Sequence, residues 1–369
     1  MTRNILPYHL ASLCIENCFG FQRSDLQELP GNSQWIFFTG AEQSTAILKS
    51  IALAHYDQQL RGLTMASPPP PGRVKLEIMQ VDRILPHLEY IYDGSRIPVS
   101  NAYPRPVQAP YLLGYGSARH NHIHLNGQGF QRTTPLSAVR SLLSEVAPKL
   151  DLPSELMLSY REKSGRFDAL VTLMMAVWPE LTEINISRRT LRFVLNNGEI
   201  ISWRDLSLGR AGLLTMVADI YLRLNEIQGR NLNPEEVTGM VLIEEPELNL
   251  PPALRWKLAT VLSSIFPRVQ FVATTYSPLI LMGAPTNSTF IKVEKDAAGV
   301  LQMKQTEMTP NQLSPSEILA SPLFDLKEMP VTKEPGRATV DDFDMNKAIG
   351  EELERRPSGN SEVRLFGGH

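Results

Sequence analysis

Residues 240–278, MVLIEEPELNLPPALRWKLATVLSSIFPRVQFVATTYSP, constrain the fold more than any other stretch. Met240 to Ile243 are apolar without alternation, the pattern of a strand covered on both faces. Glu244 and Glu245 follow at its carboxyl end, and Pro246 stops it. Leu254, Leu258, Val261, Leu262 and Ile265 recur at helical spacing, which predicts an amphipathic helix over Pro252 to Phe266. Val269 to Ala273 reads as a second buried strand, with the hydroxyls of Thr274, Thr275, Tyr276 and Ser277 at its end. In open α/β sheets ligands sit at the carboxyl edge, so both strand ends should open onto one crevice. A Glu pair after a buried strand is equally a helix cap or a solvated turn, and the stretch alone leaves both readings open.

Earlier in the chain, Gln34 to Thr39 is a further buried strand. Gly40 to Thr45, GAEQST, is a loop, and Ala46 to Tyr56 is a helix with Ile47, Leu48, Ile51 and Ala54 inward. Strand, glycine loop and helix make the architecture of a phosphate site, where loop amides and the helix N-terminus offer partial positive charge to an anion. A plain capped strand-to-helix turn with no ligand has the same outline.

The order and wording of these segments resemble the ABC-type ATPases of the SMC/RecF/OLD group. LIEEPELNLPP followed by VQFVATTYSPLIL is similar to that group's Walker B, D-loop and switch, usually LIDEPELHLHP and QFIVTTHSPLIL. STAILKSIALA is similar to its phosphate-loop helix KSTLLKAIALA. YLLGYGSARH resembles its GYGxxR turn, with Arg119 at the Arg position, and LSLGRAG (Leu206 to Gly212) its signature motif before the helix LLTMVADIYLRLNEI. LSPSEILASPLFDL (313–326) resembles its C-terminal tail. The resemblance implies an α/β ATPase head: a mixed, largely parallel sheet flanked by helices, with an antiparallel β edge and an inserted helical subdomain. On that pattern, residues 1–60 form an N-terminal lobe with the phosphate loop and 61–134 a strand and loop region containing the proline-rich TMASPPPPGR. Residues 135–181 are the helical subdomain, with stripes of Leu136, Val139, Leu142, Leu143 and Val146 and of Asp168, Leu170, Leu173 and Met174. Residues 182–326 form the C-terminal lobe, beginning with two short strands around an Asn196 to Gly198 turn, and 327–369 a polar, flexible tail. No heptad run marks a long coiled-coil arm.

The resemblance also implies ATP and Mg²⁺ as cofactors, and here the sequence departs from its pattern. Ser44 stands where the phosphate-binding Lys belongs, Gln43 replaces the second Gly, and Gly40 alone remains. Thr45 occupies the metal-hydroxyl position. Glu244 stands in the Walker B Asp position, longer by one methylene, and Glu245 in that of the catalytic Glu that orients water. Tyr276 replaces the γ-phosphate-sensing His and cannot carry its charge. Ser207 and Gly209 keep the signature positions, which in the group contact a nucleotide held by the other protomer. Phosphoryl transfer is mostly positioning and charge stabilisation, so these exchanges imply a head whose hydrolysis is impaired or lost, serving as a structural or sensor subunit. The alternatives are a working ATPase with unorthodox ligands, in which Arg119 or a partner's Arg210 replaces the Lys, and a DNA-binding clamp without nucleotide. The implied partners are a homo- or heterodimer through the signature face and a separate effector or nuclease chain, as in the phage-defence ATPases of the PtuA type.

Bulk properties narrow the classes further. A formal net charge of -3 offers no global basic field for nucleic acid, and no apolar run approaches the ~18 residues of a membrane span. Without a signal-like start the chain reads as cytoplasmic. Cys14 and Cys18 lack further cysteines and read as reduced thiols. His120, His122 and His124 alternate as metal ligands on one strand face would, but no carboxylate or Cys lies nearby, which favours an exposed strand or loop.

Overall fold

The computed structural model describes residues 5–40, 44–56, 72–80, 83–84, 88–92, 111–120, 130–144, 150–187, 190–229 and 232–324. The chain divides into two units, Met1–Lys327 and Glu328–His369; the tail, the proline-rich loop, Val146, His122 and His124 lie outside the described residues.

Three sheets form from strands that run β1 (Tyr8–Cys18), β2 (Phe21–Leu26), β3 (Trp35–Gly40), β4 (Gly72–Gln80), β5 (Arg83–Ile84), β6 (Leu88–Tyr92), β7 (Leu112–Tyr115), β8 (Leu181–Ser187), β9 (Thr190–Leu195), β10 (Ile200–Ser202), β11 (Gly239–Glu244), β12 (Val269–Thr274), β13 (Thr289–Lys295) and β14 (Leu301–Thr306). The central sheet has the order β14-β13-β3-β12-β11-β7. Every pair in it is parallel except the edge pair β13–β14. A second, antiparallel sheet has the order β2-β1-β4-β5, with β6 also on β4, and the third is β10-β9-β8. The expected mixed sheet with an antiparallel β edge is thus present.

The unbroken apolar strands behave as their sequence demands. Met240, Val241, Leu242 and Ile243 are fully buried, because helices cover both faces of a parallel sheet. Trp35 stacks on Phe37 at 5.0 Å and on Phe271 at 4.5 Å, and Phe37 on Phe290 at 5.8 Å, so an aromatic row crosses three neighbouring strands. Such rings are worth ~1.5–3 kcal/mol each on burial. Gln270, buried in β12, joins two sheets: its Oε1 accepts from Leu10 N at 2.8 Å and its Nε2 donates to Ser33 O at 3.0 Å.

The helices are α1 (Ser44–Tyr56), α2 (Pro135–Leu143), α3 (Leu152–Arg161), α4 (Gly165–Val177), α5 (Leu208–Gln228), α6 (Pro252–Ile265), α7 (Pro278–Met282) and α8 (Pro315–Ala320). Several boundaries differ from the sequence reading. Ser44 and Thr45 belong to the first turn of α1 rather than to the loop. Helix α5 begins inside the signature motif, with Ser207 as its N-cap, and ends at Gly229, whose φ of 62° is the left-handed cap conformation. The stretch 150–163 contributes a helix, α3, that the sequence reading left out. Asp168 is exposed rather than part of the inward stripe of α4. The turn at Asn196 to Gly198 is present and joins β9 to β10, but a third short strand, β8, precedes the pair.

Candidate functional site

The site is built where the carboxyl ends of β3, β11 and β12 meet the first turn of α1. Register places Glu244 beside Thr274 and Thr274 beside Phe38, so three strand ends share one edge. Glu244 Oε1 accepts from Thr45 Oγ1 at 2.8 Å, and its Oε2 accepts from the Ser117 amide at 2.9 Å. The longer Glu side chain therefore bridges α1 to the turn after β7. Ser44 Oγ lies 3.4 Å from the Tyr276 hydroxyl. Glu244, Thr45, Ser44 and Tyr276 thus converge, as their motif positions require.

Glu245 follows with φ 45°, a left-handed conformation rare for a non-glycine residue. Its amide donates to Thr274 O at 2.9 Å and its carbonyl accepts from Leu248 N at 2.9 Å, so the turn is held from both sides. Burial, then the neighbouring Glu244 charge, pushes the Glu245 carboxyl above its usual pKa. A third carboxylate, Glu247, completes the edge and was not singled out from the sequence. It is only 5% exposed. Its Oε1 accepts from Thr275 Oγ1, and its Oε2 has no hydrogen-bond partner among the described residues. Burial raises its pKa as well. The Thr275 hydroxyl consequently faces Glu247, whereas Tyr276 is 41% exposed.

The countercharge to these three acids is Arg119. Its guanidinium donates to the carbonyls of Gly116, Glu244 and Glu245. Burial lowers its pKa to about 10, against the opposing pull of Glu247, Glu244 and Glu245. Arg119 thus clamps the backbone of the acidic strand end and is not aimed at a phosphate position. Arg210, the other candidate for the missing Lys, stacks on Trp178 of its own chain with its guanidinium carbon 4.4 Å from the ring centre.

The remaining motif residues have structural as well as positional reasons. Gly40 has φ 106°, and a Cβ there would lie 2.3 Å from the Val293 carbonyl, so close approach of β13 requires glycine. A Cβ on Gly209 would lie 1.9 Å from the Asn249 carbonyl, which seats the signature turn directly on the turn after Glu245. Ser207 Oγ accepts from Arg210 N at 3.3 Å, an ordinary N-cap bond. Among the described residues, no hydrogen bond links Ser207 or Gly209 to Thr45, Glu244 or Glu245. The two halves of the motif set are adjacent where Gly209 packs on Asn249 and Leu250.

A magnesium–triphosphate group makes definite demands on such an edge. It needs a fixed cation near the outer phosphates and a carboxylate and hydroxyl turned toward the metal. Among the described residues, Gly40 and the first turn of α1, Ser44 and Thr45, are neutral, while Glu244 and Thr45 are bonded to each other and both candidate arginines are engaged elsewhere. This donor set does not fit the group in the usual manner. Among the described residues no cluster of three His, Cys, Asp or Glu side chains is arranged to hold a metal. Cys14 and Cys18 form no disulfide, and burial pushes both thiols up to about 12, which disfavours the thiolate. Among the described residues no helix is long and apolar enough to cross a membrane.

No family profile matches the chain. In sequence it is similar to the retron Ec83 probable ATPase of Escherichia coli, 27% identical over 143 residues, or 38% of this chain and 26% of that protein. The retron Vc95 probable ATPase of Vibrio cholerae is 30% identical over 146 residues, 34% of this chain and 28% of the relative. The Septu protein PtuA of Bacillus mycoides is 23% identical over 299 residues, covering 78% of this chain and 39% of PtuA. The chain thus spans about a quarter to two-fifths of the length of these relatives. Among solved structures, the SMC head domain of Thermotoga maritima aligns over 81% of the chain at 13% identity, with a TM-score of 0.45. A RecF structure aligns over 81% at 11% identity, with a TM-score of 0.46.

Proposed function

We propose that this chain, a relative of the retron ATPases and PtuA with the mixed sheet of an SMC- or RecF-like head, is an ATPase head that does not hydrolyse nucleotide through its own site. It serves as a structural or sensor subunit of a phage-defence complex. One observation carries the reading: both carboxylate oxygens of Glu244 are taken by protein donors, Thr45 Oγ1 and the Ser117 amide. Direct hydrogen bonds thus do the work of tying α1 to the strand end that a metal and its phosphates do in a working head. The signature turn, with Ser207 and Gly209 at the start of α5, is the part of the motif set that keeps its usual residues. On this reading it meets a partner protomer, either a second copy or a competent ATPase, and an effector such as a nuclease comes from a separate chain. The setting is cytoplasmic.

The test is steady-state hydrolysis of magnesium-ATP by the purified chain, alone and with the products of neighbouring genes. The expected result is no turnover by the chain alone, and turnover only when a competent partner is present. A rate near ~1 s⁻¹ from the chain alone, within the range of phosphoryl-transfer enzymes, that Glu245→Gln abolishes would overturn the proposal in favour of a working site with unorthodox ligands.

A further inference from the structure

Apart from the acidic edge, a cavity of about 40 Å³ lies between β7, α2 and α5. Tyr115, Arg119, Ser137, Thr215, Asp219 and Arg223 line it. Asp219, 7% exposed, is held on one side only. Its Oδ2 accepts from the Tyr115 hydroxyl at 2.8 Å and from Arg223 Nε at 2.7 Å. Its Oδ1 is buried with no hydrogen-bond partner among the described residues. Arg223 also donates through Nη1 to Ser137 Oγ at 3.1 Å.

A buried carboxylate oxygen without a donor is costly, and the cavity beside it, though Ala138, Leu150 and Met216 share its wall, offers the several polar partners that a water needs. Charge selects the occupant. A cation would meet the guanidiniums of Arg119 and Arg223, and an anion would meet the unpartnered Asp219 oxygen. A neutral molecule that both donates and accepts satisfies both. Since a water needs roughly 10–15 Å³ of such space, the cavity has room for about three. We propose that it holds a cluster of two or three buried waters, one donating to Asp219 Oδ1, which links the signature helix α5 to Arg119. Arg119 also grips the carbonyls of Glu244 and Glu245. Signature helix and acidic edge therefore share one hydrated joint. The joint does not depend on whether nucleotide is hydrolysed, so its failure would leave the proposed function standing.

A crystal structure of the full chain at about 1.8 Å or better tests the occupant. Ordered waters are expected in the cavity, one of them about 2.6–3.2 Å from Asp219 Oδ1. A dry or collapsed cavity, or a protein donor on that oxygen, overturns the proposal. Thr215→Val, which removes a hydroxyl at constant volume, gives a second reading by sign. A wet cavity predicts a lower thermal midpoint, and a higher one speaks for a dry cavity. Hydrogen exchange in Asp219→Asn tests the link. The amides of Glu244, Glu245 and Glu247 should exchange severalfold faster while those of β12 and β13 keep their wild-type rates. Unchanged exchange at those three amides sinks the joint.

Discussion

Glu244 is the point where the proposed function meets a measurable stability. Hydrogen bonds to a charged group contribute about 1.5–3 kcal/mol each. Glu244 is half-buried and makes two, to Thr45 Oγ1 and to the Ser117 amide. Discounting for partial exposure, Glu244→Ala should cost about 2–4 kcal/mol in all. For a unit of this size each kcal/mol moves the midpoint by roughly 2 °C or less, so the variant should melt ~4–8 °C lower. Glu244→Asp introduces the residue usual in the ATPases that the sequence resembles but loses a methylene, about 1.5 Å of reach. It can keep one of the two bonds and should lose about half as much. Glu244→Gln can keep both, its carbonyl accepting from Ser117 and its amide donating to Thr45, and it relieves the like charge on Glu245. It should fall within about 1 kcal/mol of the wild type. Thermal unfolding followed by circular dichroism, with and without excess magnesium, reads all three. Two results would refute the reasoning: Ala and Asp variants melting with the wild type, or magnesium raising the wild-type midpoint by several degrees while leaving Glu244→Gln unmoved. The second would make the edge a metal site.

Further expectations concern the clamp, the acid behind it and the signature turn. Arg119→Met removes a donor from three carbonyls, of which Gly116 O keeps the residue-119 amide and Glu245 O the Leu248 amide; urea midpoints should show a loss of about 1–3 kcal/mol, with only part of it recovered by Arg119→Lys. Burial raises the Glu247 pKa in the folded chain above its unfolded value, so the folded state holds that proton longer and stability falls as pH rises through the window just above the unfolded value, ~4.3. Glu247→Gln should therefore flatten the fall in thermal midpoint that begins just above that unfolded value; curves that run parallel to the wild type would contradict the sign. Gly209→Ala sets a methyl against the Asn249 carbonyl at 1.9 Å and should cost about 1–3 kcal/mol by forcing the two turns apart, read as a lower denaturation midpoint; an unchanged midpoint would place the turns further apart than described.

The central strands were legible because burial on both faces favours apolar runs: Met240 to Ile243 of β11 are unbroken, and β12 is interrupted by Gln270, whose side chain is satisfied by Leu10 and Ser33. Helix α3 was not, for a concrete reason. Its inward stripe is Leu152, Glu155, Leu156 and Ser159, and half of it is polar. Glu155 is fully buried because Ser159 Oγ, Arg166 Nη1 and the Phe130 amide all donate to it. A hydrophobic periodicity cannot register a stripe whose polarity is satisfied by residues elsewhere in the chain. The same limit applies at the site. Resemblance put Thr45, Glu244, Glu245 and Tyr276 at one edge, but their partners are set by tertiary contacts. Arg119 binds carbonyls, which every residue carries, and Ser117 acts through its amide, so neither role has a side-chain signature. Glu247 did have one, the third acid of EEPE, and its burial became visible only through Thr275.

The aromatic row across the central sheet bears on how the protein is made. Strand β3 lies between β12 and β13, so the segment WIFF has neither neighbour until β12 (Val269–Thr274) has been synthesised and lacks the second until β13 (Thr289–Lys295) follows. At roughly 5–20 residues per second, Trp35, Ile36, Phe37 and Phe38 wait about 10–50 s on the ribosome with their sheet incomplete. Leu10 waits as long for Gln270. The nascent chain thus presents one of its most apolar strands to the translation machinery for most of its synthesis.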